Sequence, residues 1–221
     1  MIRLIAIAFV SMALMAPSLA AAETAHELTW EILVPPAPPL HDPFKHLTRD
    51  QKLDLHAIIG IKIEKMQGLI DDDSALLKIA QERIDKLTKQ GLDVDALIVE
   101  YIKLEKEVAE RGEAVVGALD GQLVRMPGYV LPLEFSGTEV SEFFLVPYVG
   151  ACIHVPPPPP NQMVFVRLHD STISGDLYEP IWITGRMRVE KTNTLLNYFD
   201  GQSKVDAGYT IDGLKVEIYE P

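Results

Sequence analysis

The only cysteine of the chain, Cys152, stands two residues before His154 in Gly150-Ala-Cys-Ile-His-Val-Pro156. On an extended backbone residues i and i+2 face the same side, so this pair presents a thiol sulfur and an imidazole nitrogen together. Thiolate and neutral imidazole are good donors for zinc or copper. Two ligands fall short of a tight mononuclear site, and His169 and Asp170 are the nearest candidates to complete it. Pro156, Pro157, Pro158, Pro159 and Pro160 follow, then Asn161 and Gln162. Consecutive prolines stiffen a loop and lower the entropy cost of holding ligands in place. The run reads as a binding or interaction loop with a polar end.

The same residues admit two other readings. A histidine beside a cysteine lowers the thiol pKa and activates it as a nucleophile, which would make a thiol-dependent enzyme of Cys152 and His154. The orienting third group and the oxyanion donors of such an enzyme are not identifiable; Asn161 and Gln162 serve equally well as donors or as loop caps. Alternatively, Cys152 lies in the apolar run Val149-Gly-Ala-Cys-Ile153 and is a small buried hydrophobe. His154 would then hydrogen-bond the carbonyls of the proline loop. A second metal set, His41, Asp42 and His46, has a spacing that fits no standard ligand helix. No phosphate-cradling glycine loop, H-E-x-x-H or G-x-S-x-G occurs.

Export sets the redox context. Arg3, the apolar run Leu4 to Met15 and Ala16-Pro-Ser-Leu-Ala-Ala-Ala22 have the order of a secretory signal peptide. Cleavage after Ala20 or Ala22 leaves a periplasmic chain that does not span the membrane. A lone cysteine there forms no internal disulfide, so it is a filler, a ligand or a thiol that meets another molecule. With 32 acidic and 20 basic residues the chain carries −12, and loss of Arg3 with the leader makes it −13. That balance disfavours nucleic acid, because phosphate binding needs a basic surface.

The positioning elements follow in order. Residues 23–47 are proline-rich, which favours an extended arm with Trp30 and Leu33 pinned into a groove. Residues 48–118 take helical periodicity. Thr48-Arg-Asp-Gln51 has the form of a capping box, and Leu55, Ile58, Ile59, Ile63, Met66 and Ile70 share a broad face. A second helix carries Leu77, Ala80, Ile84 and Leu87 and ends at Gly91; a third, capped by Asp93, carries Val94, Leu97, Tyr101, Leu104 and Val108. Their stripes predict that the last two helices pair as a coiled-coil-like hairpin. Glu82 with Lys86 and Asp85 with Lys89 are expected as i,i+4 pairs.

From residue 119 to 221 the period is two. Five strands are predicted, at about 122–133, 142–148, 163–168, 181–190 and 209–219. Gly185 suggests a bulge or sharp coil and Asp212-Gly213 a bulge or turn. The count fits a small OB-like barrel. The predicted fold class is therefore α+β, a helical hairpin or three-helix segment followed by a five-stranded OB-like barrel.

Four segments carry a likeness: Met126-Pro-Gly-Tyr-Val-Leu-Pro-Leu-Glu134, Phe144 to Gln162, Pro180-Ile-Trp-Ile-Thr-Gly185 and Ala207-Gly-Tyr209. Together with Trp30 to Pro35, they resemble an uncharacterised family of exported proteobacterial proteins, domain of unknown function 3299. The resemblance implies no settled activity. Members tend to be encoded beside ABC-transporter components, sometimes in metal-responsive settings, which implies an accessory role in envelope transport. The reading for this chain is a soluble periplasmic accessory or binding protein, handling zinc or copper or serving an ABC-transporter component. An envelope protein that dimerises through its helices is the structural alternative.

Overall fold

Thr48 opens the helical segment with both halves of the capping box. Its Oγ1 accepts from the Gln51 amide at 3.3 Å, and Gln51 Oε1 accepts from the Thr48 amide at 2.9 Å. Three α-helices follow among the described residues: α1 (Arg49–Met66), α2 (Ala75–Lys89) and α3 (Val94–Glu113), with Ser74 and Asp93 capping the last two. Gly91, at a φ of 81°, lets the chain leave α2 in the left-handed region, where a side chain would be strained. The computed structural model describes residues 23–133, 140–148, 157–169, 173, 180–198 and 201–219. The expected leader, Cys152, His154, Pro156 and Asp170 lie outside them. No helix among the described residues is long and apolar enough to cross a membrane.

The three helices share one apolar core of Leu55, Ile58, Ile59, Leu87 and Val94, closed by Phe44 and Leu47 of the arm. The pairing differs from the stripe reading, since α1 packs on α2 more extensively than α2 packs on α3. A polar clamp sets this preference. Asp54 of α1 is 4 % exposed, and its carboxylate accepts from Lys86 Nζ at 2.6 Å and from the Arg83 guanidinium, both on α2. Lys86 therefore serves α1 rather than Glu82, and Asp85 accepts from Gln81 rather than pairing with Lys89. A buried acceptor outcompetes solvent-exposed neighbours because it has no water to fall back on.

This clamp gives a first testable outcome. Lys86, then Arg83, hold the Asp54 carboxyl below its ordinary pKa, against the opposing effect of burial. A depressed folded pKa means that the stabilisation is present above the unfolded value and is lost as pH falls through the folded one, hence below about pH 4. Asp54→Ala is expected to cost about 1–2 kcal/mol near neutrality, because both cations are partly exposed and rehydrate. The difference from wild type should shrink in urea titrations at pH 3. A constant difference across pH would show that the charge is not what matters.

The second half forms a closed barrel. Its strands are β2 (Leu123–Pro132), β3 (Glu142–Val146), β4 (Val164–Leu168), β5 (Pro180–Arg188) and β8 (Tyr209–Ile218). The ladder runs β2-β3-β4-β8-β5 and returns to β2, antiparallel except for the parallel pair β4–β8. That connectivity is an OB-type barrel, so the predicted fold class holds. Alternation fills the interior with Val124, Met126, Phe143, Leu145, Val164, Val166, Ile181, Ile183, Met187, Tyr209 and Ile211. The irregularity expected near Gly185 is there: Thr184 pairs with Lys215 and Gly185 with Gly213, leaving Leu214 as the extra residue on β8. β8 runs unbroken through Asp212-Gly213, so a bulge, not a hairpin turn, lies beside those residues. A Cβ at Gly185 would meet the Asp212 carbonyl oxygen, which is backbone and cannot yield.

Two features escaped the sequence reading. The first is the hairpin of β6 (Thr192–Tyr198) and β7 (Gly201–Ala207) between β5 and β8. It folds over the outer face of β3 and β4, where Val205 and Ala207 join Leu131, Phe144, Val146, Met163 and Phe165 in a second core. β3 and β4 are consequently apolar on both sides. The second is a short strand, β1 (His26–Glu27), which pairs parallel with β2 at Val124 and Arg125. The arm is interrupted by a 3-10 turn at Trp30–Leu33, just before the first proline, and by a turn at residues 43–46, closed by the Leu47 amide donating to the Phe44 carbonyl at 2.9 Å.

Candidate functional site

Pro157 to Gln162 is the meeting point of the arm, α3 and the barrel. The chain is extended at Pro159, with φ −62° and ψ 155°, and then makes a 3-10 turn over Pro160–Gln162 into β4. Asn161 is 2 % exposed. Its Nδ2 donates to the Arg111 carbonyl at 2.7 Å and to the Ala114 carbonyl at 3.0 Å. Both acceptors lie at the C-terminal end of α3, where the last carbonyls run short of helical donors; Arg111 has only a shared bond from the Ala114 amide, at 3.3 Å. Gln162 Nε2 reaches the other way and donates to the Trp30 carbonyl at 2.9 Å. Both side chains therefore serve as caps.

Tyr209, at the start of β8, completes the junction from inside the barrel. Its hydroxyl accepts from the Val116 amide at 2.7 Å and donates to the Leu33 carbonyl at 2.6 Å. Burial raises the phenol pKa, so it stays a neutral donor near neutral pH. Gly208 donates its amide to the Pro160 carbonyl at 2.7 Å. Trp30 Nε1 donates to the Pro127 carbonyl at 3.0 Å, and Leu33 is fully buried, so the arm is pinned as its apolar residues predict. Three chain segments distant in sequence are thus joined by side-chain amides and one phenol.

The outer side of the junction is a cleft of about 800 Å³ between the last turns of α3, the proline ledge and β7. Val34, Val108, Ala109 and Val205 give it apolar walls, and Glu105, Glu113, Asp206, Arg111 and Lys204 line its rim. Arg111 is already held, donating to the Pro38 carbonyl at 2.6 Å and to Glu107 at 2.5 Å. Glu113 pairs with Lys191 at 2.8 Å. Pro158 is buried and Pro159 packs against Gly112, where a Cβ would lie 2.7 Å from the Pro159 Cβ. The ledge is built into the fold and is not a free proline-rich arm.

The remaining expected site residues are distributed as follows. His169 is exposed and follows the far end of β4, about 20 Å along the strand from Met163 and the ledge. Its Nε2 lies 3.8 Å from Asp212 Oδ1, while Asp212 also takes the Arg188 guanidinium at 2.6 Å. His169 is thus not brought to Pro157–Gln162, and Cys152, His154 and Asp170 lie outside the described residues. Among the described residues no three His, Cys, Asp or Glu side chains converge as metal ligands. Asp42 caps the Phe44 amide at 2.8 Å and faces Lys52 at 3.9 Å. Arg111 and Gly112 do not stand out by residue type, and Tyr209 stands out in the sequence only as part of the Ala207-Gly-Tyr209 likeness. Asp200-Gly201, between two alternating segments, was the available hairpin signal for β7.

The family model described as "Protein of unknown function (DUF3299)" matches residues 30–218. Among solved structures, the chain is similar to a DUF3299 family protein from Pseudomonas aeruginosa PAO1, at 29 % identity and a TM-score of 0.48. That match covers 90 % of this chain and 98 % of the other. No curated protein matches. The expected resemblance is thereby borne out, and the match extends through the helices, which carried no part of it: the chain belongs to the DUF3299 family of proteins of unknown function.

Proposed function

We propose that this protein is an exported accessory protein of the bacterial envelope that binds its ligand or partner beside the proline ledge. The observation that carries this reading is the ledge itself. Pro157 to Gln162 is fixed on three sides, by α3, the arm and β7, and borders an open cleft of about 800 Å³. A preorganised platform lowers the entropy lost on binding, which is the requirement of a binding site. The segment with Cys152 and His154 joins this ledge directly in sequence, at Pro157. Its donors suit zinc or copper, and an ABC-transporter component is the partner in keeping with the family resemblance. The face of an OB barrel that most often takes ligands, here the outside of β3 and β4, is covered by the β6–β7 hairpin.

Metal content and zinc or copper titration of the purified chain test the metal part of the proposal. Near-stoichiometric uptake by wild type is expected, with loss in Cys152→Ser and in His154→Ala. Equal uptake by all three proteins, or none by wild type, would overturn metal handling at this segment. Association with a transporter component should then be compared between wild type and Val108→Asp, which places a charge in the cleft wall. Undiminished association would remove the cleft as the partner site.

A further inference from the structure

Residues 157–160 of the ledge all line the cleft, and proline offers a carbonyl but no N–H. The backbone there supplies acceptors and no donors. The Pro159 carbonyl accepts from the Gln162 amide at 2.8 Å, and the Pro160 carbonyl from the Gly208 amide at 2.7 Å. Those of Pro157 and Pro158 accept from no donor among the described residues. A ligand seated on this ledge is therefore selected for hydrogen-bond donors.

Side-chain charge selects in the same direction. Three carboxylates, Glu105, Glu113 and Asp206, line the cleft with two cations, Arg111 and Lys204. Glu113 is offset by Lys191 at 2.8 Å, and Arg111 by Glu107 at 2.5 Å. Lys204 also has a partner, and Lys106, next along α3, faces Glu110 at 3.7 Å. Glu105 and Asp206 are bonded by neutral donors, the Tyr101 phenol and the Asn193 amide. The cations of the cleft are thus engaged, whereas two exposed carboxylates keep their charge. An anionic segment would meet both of them and find no backbone donor. The walls add a third requirement. Val34, Val108 and Val205 are apolar, and the aliphatic stem of a lysine or arginine covers such a surface while its head stays at a polar rim.

Resting on the reading of this cleft as the binding site, we propose that its occupant is a basic, extended segment of a partner protein. An arginine or lysine stem lies on the valines, and its charged head reaches Glu105, Asp206 and the open proline carbonyls.

A short labelled peptide with two arginines flanking a valine, titrated against the full chain, tests this beside its glutamate and citrulline counterparts. The arginine peptide should bind and the glutamate peptide should not. Citrulline keeps the stem and the donors without the charge, and should bind about tenfold more weakly. Glu105→Gln with Asp206→Asn should weaken the arginine peptide about tenfold as well. Asp50→Asn with Asp95→Asn removes the same charge from the first turns of α1 and α3, Asp95 lying about 15 Å along the helix from Glu105, and should change nothing. Glu105 and Asp206 are exposed, so the variants should fold; far-ultraviolet circular dichroism checks this. Absence of binding, indifference to the sign of the peptide or equal losses in the two double variants would overturn the inference. Displacement of the peptide by equimolar spermidine would overturn it in favour of a small polyamine. Ala109→Trp, which fills the cleft whatever the ligand's charge, separates the two levels. If it weakens association with a transporter component while the peptides show no preference for charge, the cleft stands and its basic occupant falls. If that association is untouched, the cleft itself is lost as the site.

Discussion

Asn161→Asp is expected to destabilise the protein by about 3–5 kcal/mol near neutral pH, more than Asn161→Ala at about 2–3 kcal/mol. The amide group faces two carbonyl oxygens, those of Arg111 and Ala114, so both contacts require a donor. Alanine leaves the Ala114 carbonyl without this donor and the Arg111 carbonyl with only the longer contact from the Ala114 amide, at 3.3 Å. Aspartate adds a buried carboxylate opposite two acceptors, with no cation among its hydrogen-bond partners to offset it. Burial beside carbonyls raises the pKa of the new acid, so its cost is relieved below the unfolded pKa and returns in full above the folded one. Urea unfolding at pH 4 and pH 7 would test this: the aspartate variant should recover towards alanine at the lower pH. Equal stabilities of the two variants at pH 7 would mean that the amide is not the clamp described above. Because these carbonyls end α3, the local consequence is release of the helix from the ledge and loss of one wall of the cleft.

Tyr209→Phe removes a single oxygen and is expected to cost about 2–4 kcal/mol. The ring remains, so packing within the barrel is nearly conserved, and the loss comes from two orphaned backbone groups, the Val116 amide and the Leu33 carbonyl. Tyr209 is fully buried, and water does not readily replace its hydroxyl. The Val116 amide should exchange faster with solvent in the variant, while amides of the barrel interior change only with the global stability. Loss of less than about 0.5 kcal/mol would show that the arm and the α3 linker are held by apolar contacts alone. Tyr209 and Asn161 both bond to the α3–barrel connection, at Val116 and at Arg111 and Ala114, so their effects should be less than additive.

Much of the architecture was legible from local chemistry. The capping box at Thr48, the glycine that ends α2 and the Asp93 cap are decided within a few residues; helix periodicity identified Leu55, Ile58, Ile59, Leu87 and Val94 of the helical core, whereas Ile63, Met66 and Val108 of the same stripes are exposed. The five barrel strands were readable because one side of each alternates into a dry interior. Export and the charge balance also rest on the sequence, as expectations about the compartment and the partner.

Other features depended on contacts between distant segments. The β6–β7 hairpin is not legible despite the turn-type dipeptide Asp200-Gly201 in the sequence, because its apolar residues face a second core that exists only once β3 and β4 are placed. The preference of α1 for α2 follows from Asp54, whose two cationic partners lie 29 and 32 residues away. Asn161 and Gln162 stood out by type at the end of a proline run, but whether they catalyse, bind or cap depends on what lies within hydrogen-bond reach. That distance is set across 47 to 132 residues of chain, by the arm, α3 and the barrel folding onto one ledge.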